Sequence, residues 1–185
     1  MNRHRFVATR EDSLLLIIDV QTAMLKAIAG GEEIVQHSKQ LIQAAAMLMV
    51  PILITEQYRK GLGGTHPAVL KHIESPRIFP KEHFSACLEK DFVPTVRSLG
   101  KQKIVVAGIE THVCVLQTCL DLLHAGFEVH LAADAAGSRR GENRDLAISQ
   151  LRQAGAVISS AEIVIFEWAK RANTDEFRKI LPIVK

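Results

Sequence analysis

Apolar residues along this chain follow two alternating patterns. Short runs rich in leucine, isoleucine and valine predict six strands, over residues 14–19, 51–55, 77–79, 103–107, 128–132 and 157–159. Between them, apolar residues spaced three and four positions apart predict helices over residues 33–49, 88–99, 114–125 and 143–154. Strands that are apolar on both faces and separated by helices are typical of a parallel sheet covered on both sides. The pattern therefore predicts an α/β fold with one doubly wound, mostly parallel sheet and helices on both faces.

Two glycines support these boundaries. Gly126 and Gly155 each lie just after a predicted helix and just before a predicted strand, where a residue with left-handed backbone commonly ends a helix. The chain has 185 residues, with no linker, internal repeat or change of composition. We therefore predict a single domain over residues 1–185.

Composition and charge narrow the class of protein. Hydrophobic residues make up 48% of the chain and charged residues 23%, as in ordinary globular proteins. The net charge of +3 comes without a basic run, which argues against a nucleic acid partner. The longest apolar stretch, residues 44–54, is interrupted by Pro51 and falls short of the roughly 20 residues that span a bilayer. The charged first residues do not resemble a signal peptide, so we predict a cytoplasmic protein without membrane association.

Candidate chemistry lies where the predicted strands end. In open parallel sheets the ligand binds beyond the carboxyl ends of the strands. Asp19, Lys81 and Cys114 follow three different strands of the pattern, so the fold would bring them together. Each residue alone has a structural explanation: an aspartate as a helix cap, a lysine as a surface charge, a cysteine as a small core residue.

The position of Cys114 favours a chemical role. We expect it in the first turn of a helix capped by Thr111, where the helix dipole lowers a thiol pKa. A thiolate beside a lysine is nucleophilic near neutral pH, and a neighbouring carboxylate can carry a proton to a leaving group. Cys87 and Cys119 have neither feature. The three strand-end residues together predict a hydrolase site.

Three segments resemble one family. Residues 14–21 form an apolar strand that closes in Asp-x-Gln, residues 81–86 place an aromatic-serine pair after a lysine, and residues 108–115 form a Gly-x-x-Thr-x-x-Cys-Val turn. These motifs resemble the isochorismatase-like cysteine hydrolases, which include nicotinamidases and N-carbamoylsarcosine amidases. Residues 55–63 are most similar to the branch of isochorismatase domain-containing proteins. The resemblance covers about residues 12–160 and implies a three-layer, Rossmann-like fold.

The resemblance implies a mechanism. Asp19 would act as the base that takes the thiol proton, Lys81 would hold the thiolate and the developing charge, and Cys114 would attack a carbonyl to form a thioester. The family's cis peptide maps to Ile109–Glu110. The backbone N–H groups of Glu110 and Cys114 would then form an oxyanion hole.

The same resemblance suggests where substrate binds and what the site lacks. We place Gln21, Tyr58 and Phe84 in the substrate pocket. Metal-dependent nicotinamidases carry an Asp-x-His pair after the second strand, whereas this chain has Glu56 and Tyr58 at the corresponding positions. We therefore expect no metal and no cofactor, and a small-molecule substrate whose C–N bond is hydrolysed.

Two alternatives and one oligomeric expectation remain. A catalytically retired family member would keep the pocket for binding or scaffolding, but Asp19, Lys81 and Cys114 are intact. A nucleotide-binding α/β protein would carry Gly-x-Gly-x-x-Gly after its first strand, which this chain lacks. An apolar cluster near the end of the chain, Ile163 to Trp168, is either a core face or a subunit contact. Because members of the family that this chain resembles are usually oligomeric, we favour a contact and predict a homo-oligomer.

Overall fold

A computed structural model describes residues 3–185 and contains a single six-stranded sheet. The strands are β1 (Ser13–Ile18), β2 (Ile52–Gln57), β3 (Ile78–Lys81), β4 (Lys103–Ile109), β5 (Glu128–Gly137) and β6 (Val157–Ser159). They lie in the order β3-β2-β1-β4-β5-β6, and every neighbouring pair is parallel. The predicted fold class is confirmed.

Nine α-helices of the described chain connect and cover the strands. They are α1 (Thr22–Leu25), α2 (Gly31–Met47), α3 (Arg59–Leu62), α4 (Pro67–Leu70), α5 (Phe92–Ser98), α6 (Leu116–His124), α7 (Gly141–Gln153), α8 (Ala161–Ala169) and α9 (Asp175–Val184). A π-helical turn, Thr111–Val115, precedes α6, so the helix predicted to begin at Cys114 starts two residues later. None of the helices within residues 3–185 is long and apolar enough to cross a membrane.

Alternating residues of the central strands build two cores. In β1, Leu15 and Ile17 face a layer that includes α2 and α8, where Trp168 is fully buried. Leu14, Leu16 and Ile18 face the opposite layer, which includes α5 and α6. Every residue of β1 is buried because helices cover both faces, as expected for a central parallel strand.

The predicted helix ends at the two glycines are confirmed. Gly126 and Gly155 have φ values of +91° and +101°, in the region that glycine adopts without steric cost. Gly108, near the end of β4, also has a positive φ, +135°, and a side chain there would collide with the backbone of Ile18. Only glycine therefore lets β4 approach β1 this closely at the edge where the strands end.

Strand β5 extends five residues beyond its predicted end at Ala132. Its register against β4 shifts, because Val106 pairs with Leu131 but Gly108 pairs with Ala136. Arg144 on α7 supports the irregular stretch, since its guanidinium donates to the carbonyls of Ala136 at 3.0 Å and Ala133 at 2.5 Å. The bulge therefore carries β5 to the edge where β1 and β4 end.

The apolar cluster near the end of the chain divides between core and surface. Val164, Ile165 and Trp168 of α8 are buried in the core, whereas the Ile163 side chain is 52% exposed and the Phe166 side chain 39% exposed. The cluster is therefore a core face with two apolar residues left at the surface.

Candidate active site

The carboxyl ends of the strands bring the predicted catalytic residues together. Asp19 follows β1, Lys81 ends β3, and Cys114 lies in the π-helical turn after β4. Lys81 Nζ is 2.7 Å from Asp19 Oδ2, and both side chains are fully buried. The charges of both residues act on the Cys114 thiol. The site therefore contains a buried ion pair beside a buried cysteine.

Asp19 is held by the neighbouring strand. Its backbone is left-handed, with a φ of +52°, a conformation that aspartate tolerates better than most residues. Its N–H donates to the carbonyl of Thr55 at 3.1 Å, and the Thr55 hydroxyl donates to Oδ1 at 2.7 Å. The short approach of Lys81 to Oδ2 is an ion pair without hydrogen-bond direction, and Oδ2 accepts no other hydrogen bond in the described chain. This oxygen can therefore accept a proton.

The Lys81 ammonium is surrounded by acceptors. Besides Asp19, it lies 2.5 Å from Gln57 Oε1 and 3.2 Å from each of the carbonyls of His83 and Phe84. An ammonium has three N–H donors, and the hydrogen bonds to Gln57, His83 and Phe84 use all of them. Lys81 is therefore a fixed internal cation, and contact with a substrate oxygen would require it to release one of these partners.

Gln57 is a site residue that the sequence analysis missed. Its Oε1 lies between the Lys81 ammonium and the Cys114 thiol, 4.0 Å from Sγ. Its Nε2 donates to the carbonyl of Glu82 at 2.7 Å. The available signal was its position at the end of β2, the strand between the strands that supply Asp19 and Lys81.

Burial has the largest effect on the pKa of the Cys114 thiol. Cys114 is only 3% exposed, and burial, aided by Asp19 and opposed by Lys81, raises its thiol pKa to about 12. The expected low thiol pKa is therefore wrong for the resting site, because desolvation outweighs the dipole of a helix start. The expected cap is wrong as well: Glu110 precedes the turn, and Thr111 lies within it with its hydroxyl buried and unpaired in the described structure.

The other two cysteines also have raised pKa values. Burial raises the pKa of Cys87 to about 12 and raises that of Cys119, which is fully buried. Thiol pKa in the resting protein therefore does not distinguish the three cysteines. Cys114 differs because its thiol lies beside a buried carboxylate and ammonium.

The turn before Cys114 is fixed by its neighbours. The Ile109–Glu110 peptide bond is cis. The Glu110 carboxylate accepts a hydrogen bond from the Arg139 backbone N–H at 2.9 Å, and Arg139 Nε lies 3.6 Å from its other oxygen. His112 Nδ1 is 3.0 Å from the Ser138 hydroxyl. Residues just after β5 therefore hold the turn that carries the cysteine.

The three residues assigned to the substrate pocket differ in exposure. Tyr58 and Phe84 are 51% and 55% exposed, and the Tyr58 ring packs over Gly61, where a side chain would collide with it. Gln21 is fully buried, and its amide N–H groups donate to the carbonyls of Gln57 at 3.0 Å and Gly63 at 2.6 Å. Tyr58 and Phe84 are thus free to contact a ligand, whereas Gln21 joins the strand end to the following loop.

The Glu56 carboxylate is committed to the glycine-rich loop. Its Oε1 accepts bonds from the Thr65 N–H and hydroxyl, each at 2.8 Å, and its Oε2 pairs with Arg59 at 3.0 Å. Across residues 3–185, no three His, Cys, Asp or Glu side chains are grouped so that they could hold a metal ion. Glu56 therefore stabilises the loop beside the site.

Comparison with known proteins identifies a family model that covers this site. The family model for the isochorismatase domain matches residues 13–163, which include every residue of the site described above. The chain belongs to the isochorismatase family. The match contains all six strands and the three strand-end residues, so the family assignment rests on the part of the chain that forms the site.

Curated isochorismatase relatives align over most of the chain. Isochorismatase domain-containing protein 2A of Mus musculus is 36% identical over 177 residues, covering 95% of this chain and 84% of the relative. The secreted isochorismatase effector Isc1 of Phytophthora sojae is also 36% identical over 177 residues, covering 94% and 84%. The similarity to isochorismatase domain-containing proteins that residues 55–63 suggested is confirmed.

Solved structures share the fold. The MAR1 ribonuclease of Caenorhabditis elegans has a TM-score of 0.89 and 36% identity, covering 95% of this chain and 91% of its own. YcaC from Pseudomonas aeruginosa, described with hexane-2,5-diol and covalent acrylamide, has a TM-score of 0.87 and 26% identity, covering 95% and 90%. YcaC from Escherichia coli, described as an octameric hydrolase of unknown specificity, has a TM-score of 0.90 and 22% identity, covering 98% and 92%.

Proposed function

We propose that this isochorismatase-family protein is a hydrolase that cleaves a small-molecule amide or a related C–N bond through a thioester on Cys114. The observation that carries the proposal is the fully buried Asp19–Lys81 ion pair beside the Cys114 thiol. Burying a charged pair costs desolvation energy, so its presence favours a role in specificity or chemistry. An adjacent nucleophile supplies the chemistry.

The first half of the reaction forms the acyl-enzyme. Because burial raises the thiol pKa to about 12, Cys114 is protonated at rest and needs a base at the moment of attack. Asp19 Oδ2 takes the proton, and sulfur bonds to the substrate carbonyl carbon. The carbon–nitrogen bond then breaks, and the leaving nitrogen takes the proton from Asp19.

The second half restores the enzyme. Water attacks the thioester carbonyl and gives one proton to Asp19, the carbon–sulfur bond breaks, and Cys114 recovers its proton. Throughout, Lys81 stays bound to its internal acceptors and lowers the pKa of the Cys114 thiol, which favours the thiolate. Because all three N–H donors of Lys81 are used, the backbone N–H groups of Glu110 and Cys114 stabilise the negative charge on the substrate carbonyl oxygen, as in other oxyanion holes.

The site geometry favours a small substrate without a bound cofactor. Cys114 is 3% exposed, so the scissile group must reach a recessed sulfur, with Tyr58 and Phe84 at the surface to contact the rest of the molecule. Glu56 already serves the glycine-rich loop, which leaves no carboxylate there for a metal. The covalent acrylamide described for the YcaC neighbour suggests a probe, because acrylamide is a small amide that also alkylates thiols.

We propose that the protein is located in the cytoplasm. Its three cysteines are free, as expected in a reducing compartment, whereas the Phytophthora relative is named as secreted.

Two other functions compete with hydrolysis of a small amide. One is a catalytically retired scaffold, and the other is the ribonuclease activity named for the Caenorhabditis protein.

A covalent intermediate provides the direct test of the hydrolase proposal. We expect that purified protein mixed with a panel of small amides, with and without a metal chelator, gains the mass of the acyl group on Cys114 and releases the amine. Replacing Cys114 with alanine should remove both signals, and Cys87→Ala should leave them unchanged. Intact-protein and peptide mass spectrometry measure the adduct, and RNA is included as a substrate. Hydrolysis that survives in Cys114→Ala, or cleavage of RNA alone, would overturn the proposal.

We also propose that the protein is a homo-oligomer that assembles through the exposed residues of α8. Ile163 and Phe166 are both substantially exposed on this helix, and the Escherichia coli neighbour of the same fold is described as octameric. We expect sedimentation velocity to give a mass well above the 20.4 kDa of one chain. Phe166→Glu should shift it towards the monomer, because a charge replaces apolar contact area. Leu146→Glu, at an exposed leucine of α7, is the matched control. A parent protein that sediments as a monomer contradicts this assembly.

A further inference from the structure

The side-chain amide of Gln57 joins the two groups that the proposed chemistry depends on. Its Oε1 accepts a hydrogen bond from Lys81 Nζ at 2.5 Å and lies 4.0 Å from Cys114 Sγ, within the range of a weak S–H donor. Gln57 is 8% exposed, so water competes little for this oxygen. One neutral oxygen is therefore a shared acceptor for the ammonium and the thiol.

The orientation of this amide is determined by its partners. Nε2 donates to the carbonyl of Glu82 at 2.7 Å, so exchanging the amide oxygen and nitrogen would direct an NH2 group at the Lys81 ammonium. The Gln21 amide binds both sides of the Gln57 backbone, accepting from its N–H at 2.8 Å and donating to its carbonyl at 3.0 Å. Backbone and side chain are therefore both fixed, with the oxygen facing the site.

We propose that Gln57 is a positioning residue of this site: its Oε1 orients the Cys114 thiol, and its neutral amide leaves Asp19 as the single carboxylate in contact with Lys81. The importance of this positioning for catalysis rests on the proposed function. The contacts themselves can be tested without turnover.

Charge explains why a neutral acceptor suits this position. Burial is the largest cause of the raised Cys114 thiol pKa, and the neighbouring charges add to it in opposite directions, since Asp19 raises the pKa and Lys81 lowers it. A glutamate in place of Gln57 would have nearly the same shape, but it would add a second negative charge beside the sulfur and draw the Lys81 ammonium away from the thiol. A methionine would have similar volume but only a weak acceptor, so one Lys81 N–H would be released towards the sulfur.

The two substitutions are therefore expected to change thiol reactivity in opposite directions. The rate of Cys114 alkylation by iodoacetamide, followed from pH 6 to 10 by peptide mass spectrometry, reports the thiolate fraction. In Gln57→Glu we expect a rate lower by about tenfold at neutral pH, which corresponds to about one unit of thiol pKa. In Gln57→Met we expect a rate higher by about threefold.

Two controls separate positioning from a loss of structure. Gln43→Glu on α2, whose amide contacts His72, adds the same charge and should leave Cys114 alkylation unchanged. Fully buried Cys119 reports opening of the fold, and it should stay unlabelled in every variant. Faster alkylation of Cys114 in both Gln57 variants, or unchanged rates in both, would overturn the inference. Opposite shifts without hydrolysis of any amide would refute the proposed function and leave this inference standing.

Discussion

Replacing Asp19 with asparagine should lower the free energy of unfolding by about 3–5 kcal/mol, the usual cost of leaving a buried charge without its partner. Lys81 is fully buried, and Asp19 is the one carboxylate within ion-pair distance of it in the described structure. Asparagine keeps the size of the side chain and a hydrogen-bond acceptor, so the loss measures the missing charge. Hydrolysis should also fall by at least about 10²-fold, because the proton acceptor is gone. Urea unfolding and amide turnover measure the two effects.

A double variant separates chemistry from stability. In Asp19→Asn with Lys81→Met neither position of the pair carries a charge, so we expect it to be more stable than either single variant by about 2 kcal/mol or more, while staying inactive. Asp175→Asn, in the exposed pair with Arg178, is the matched control and should cost less than about 1 kcal/mol. A single variant as stable as the parent would contradict the buried pair. An active double variant would remove both residues from the mechanism.

The strand ends of this site could be predicted because the relevant pattern is local. A buried strand appears in the sequence as a run of apolar residues, and the residue that ends the run lies at the edge of the sheet. Asp19, Lys81 and Cys114 were identified in this way, and the structure places them together. The resemblance then gave the family, which the matched residues 13–163 confirm.

Contacts between distant segments account for what the sequence did not reveal. Gln57 has no chemical signal of its own, because a glutamine after a strand is ordinary until the neighbouring strands place Lys81 and Cys114 against it. The apolar run that predicts β5 ends at Ala132, and small residues follow it in the sequence. Arg144, on the next helix, supplies the hydrogen bonds that extend the strand.

The thiol pKa illustrates a competition that a local argument cannot decide. A position at a helix start lowers a thiol pKa, whereas burial raises it, and the sequence indicates only the first effect. In the structure Cys114 is almost completely buried, and burial is the largest cause of its raised pKa. Similarly, the resemblance assigned Gln21 to the pocket, but the backbone carbonyls of Gln57 and Gly63 use its amide N–H groups.

A second large effect concerns His130, on β5 away from the proposed chemistry. This histidine is fully buried, and neither ring nitrogen has a hydrogen-bond partner in the described structure. Burial, aided by Lys103 and Arg5 and opposed by Glu128, lowers its pKa from 6.5 to about 4. The unfolded chain therefore binds a proton between pH 6.5 and 4 that the folded protein does not, so the free energy of unfolding decreases as the pH falls through this range.

Replacing His130 with leucine should remove this dependence. Between pH 7 and pH 5 the buried histidine should lower the free energy of unfolding by about 2 kcal/mol, rising to about 3 kcal/mol below pH 4. Leucine carries no proton and leaves no ring nitrogen unpaired in the core, so His130→Leu should be more stable than the parent at pH 5. Its free energy of unfolding should also fall less steeply than that of the parent as the pH decreases from 7 to 4. Urea unfolding at a series of pH values measures it, with exposed His124→Gln as the control. If the slopes of the His130→Leu variant and the parent are equal, His130 takes up its proton in the folded protein, and a partner for its ring must form on protonation.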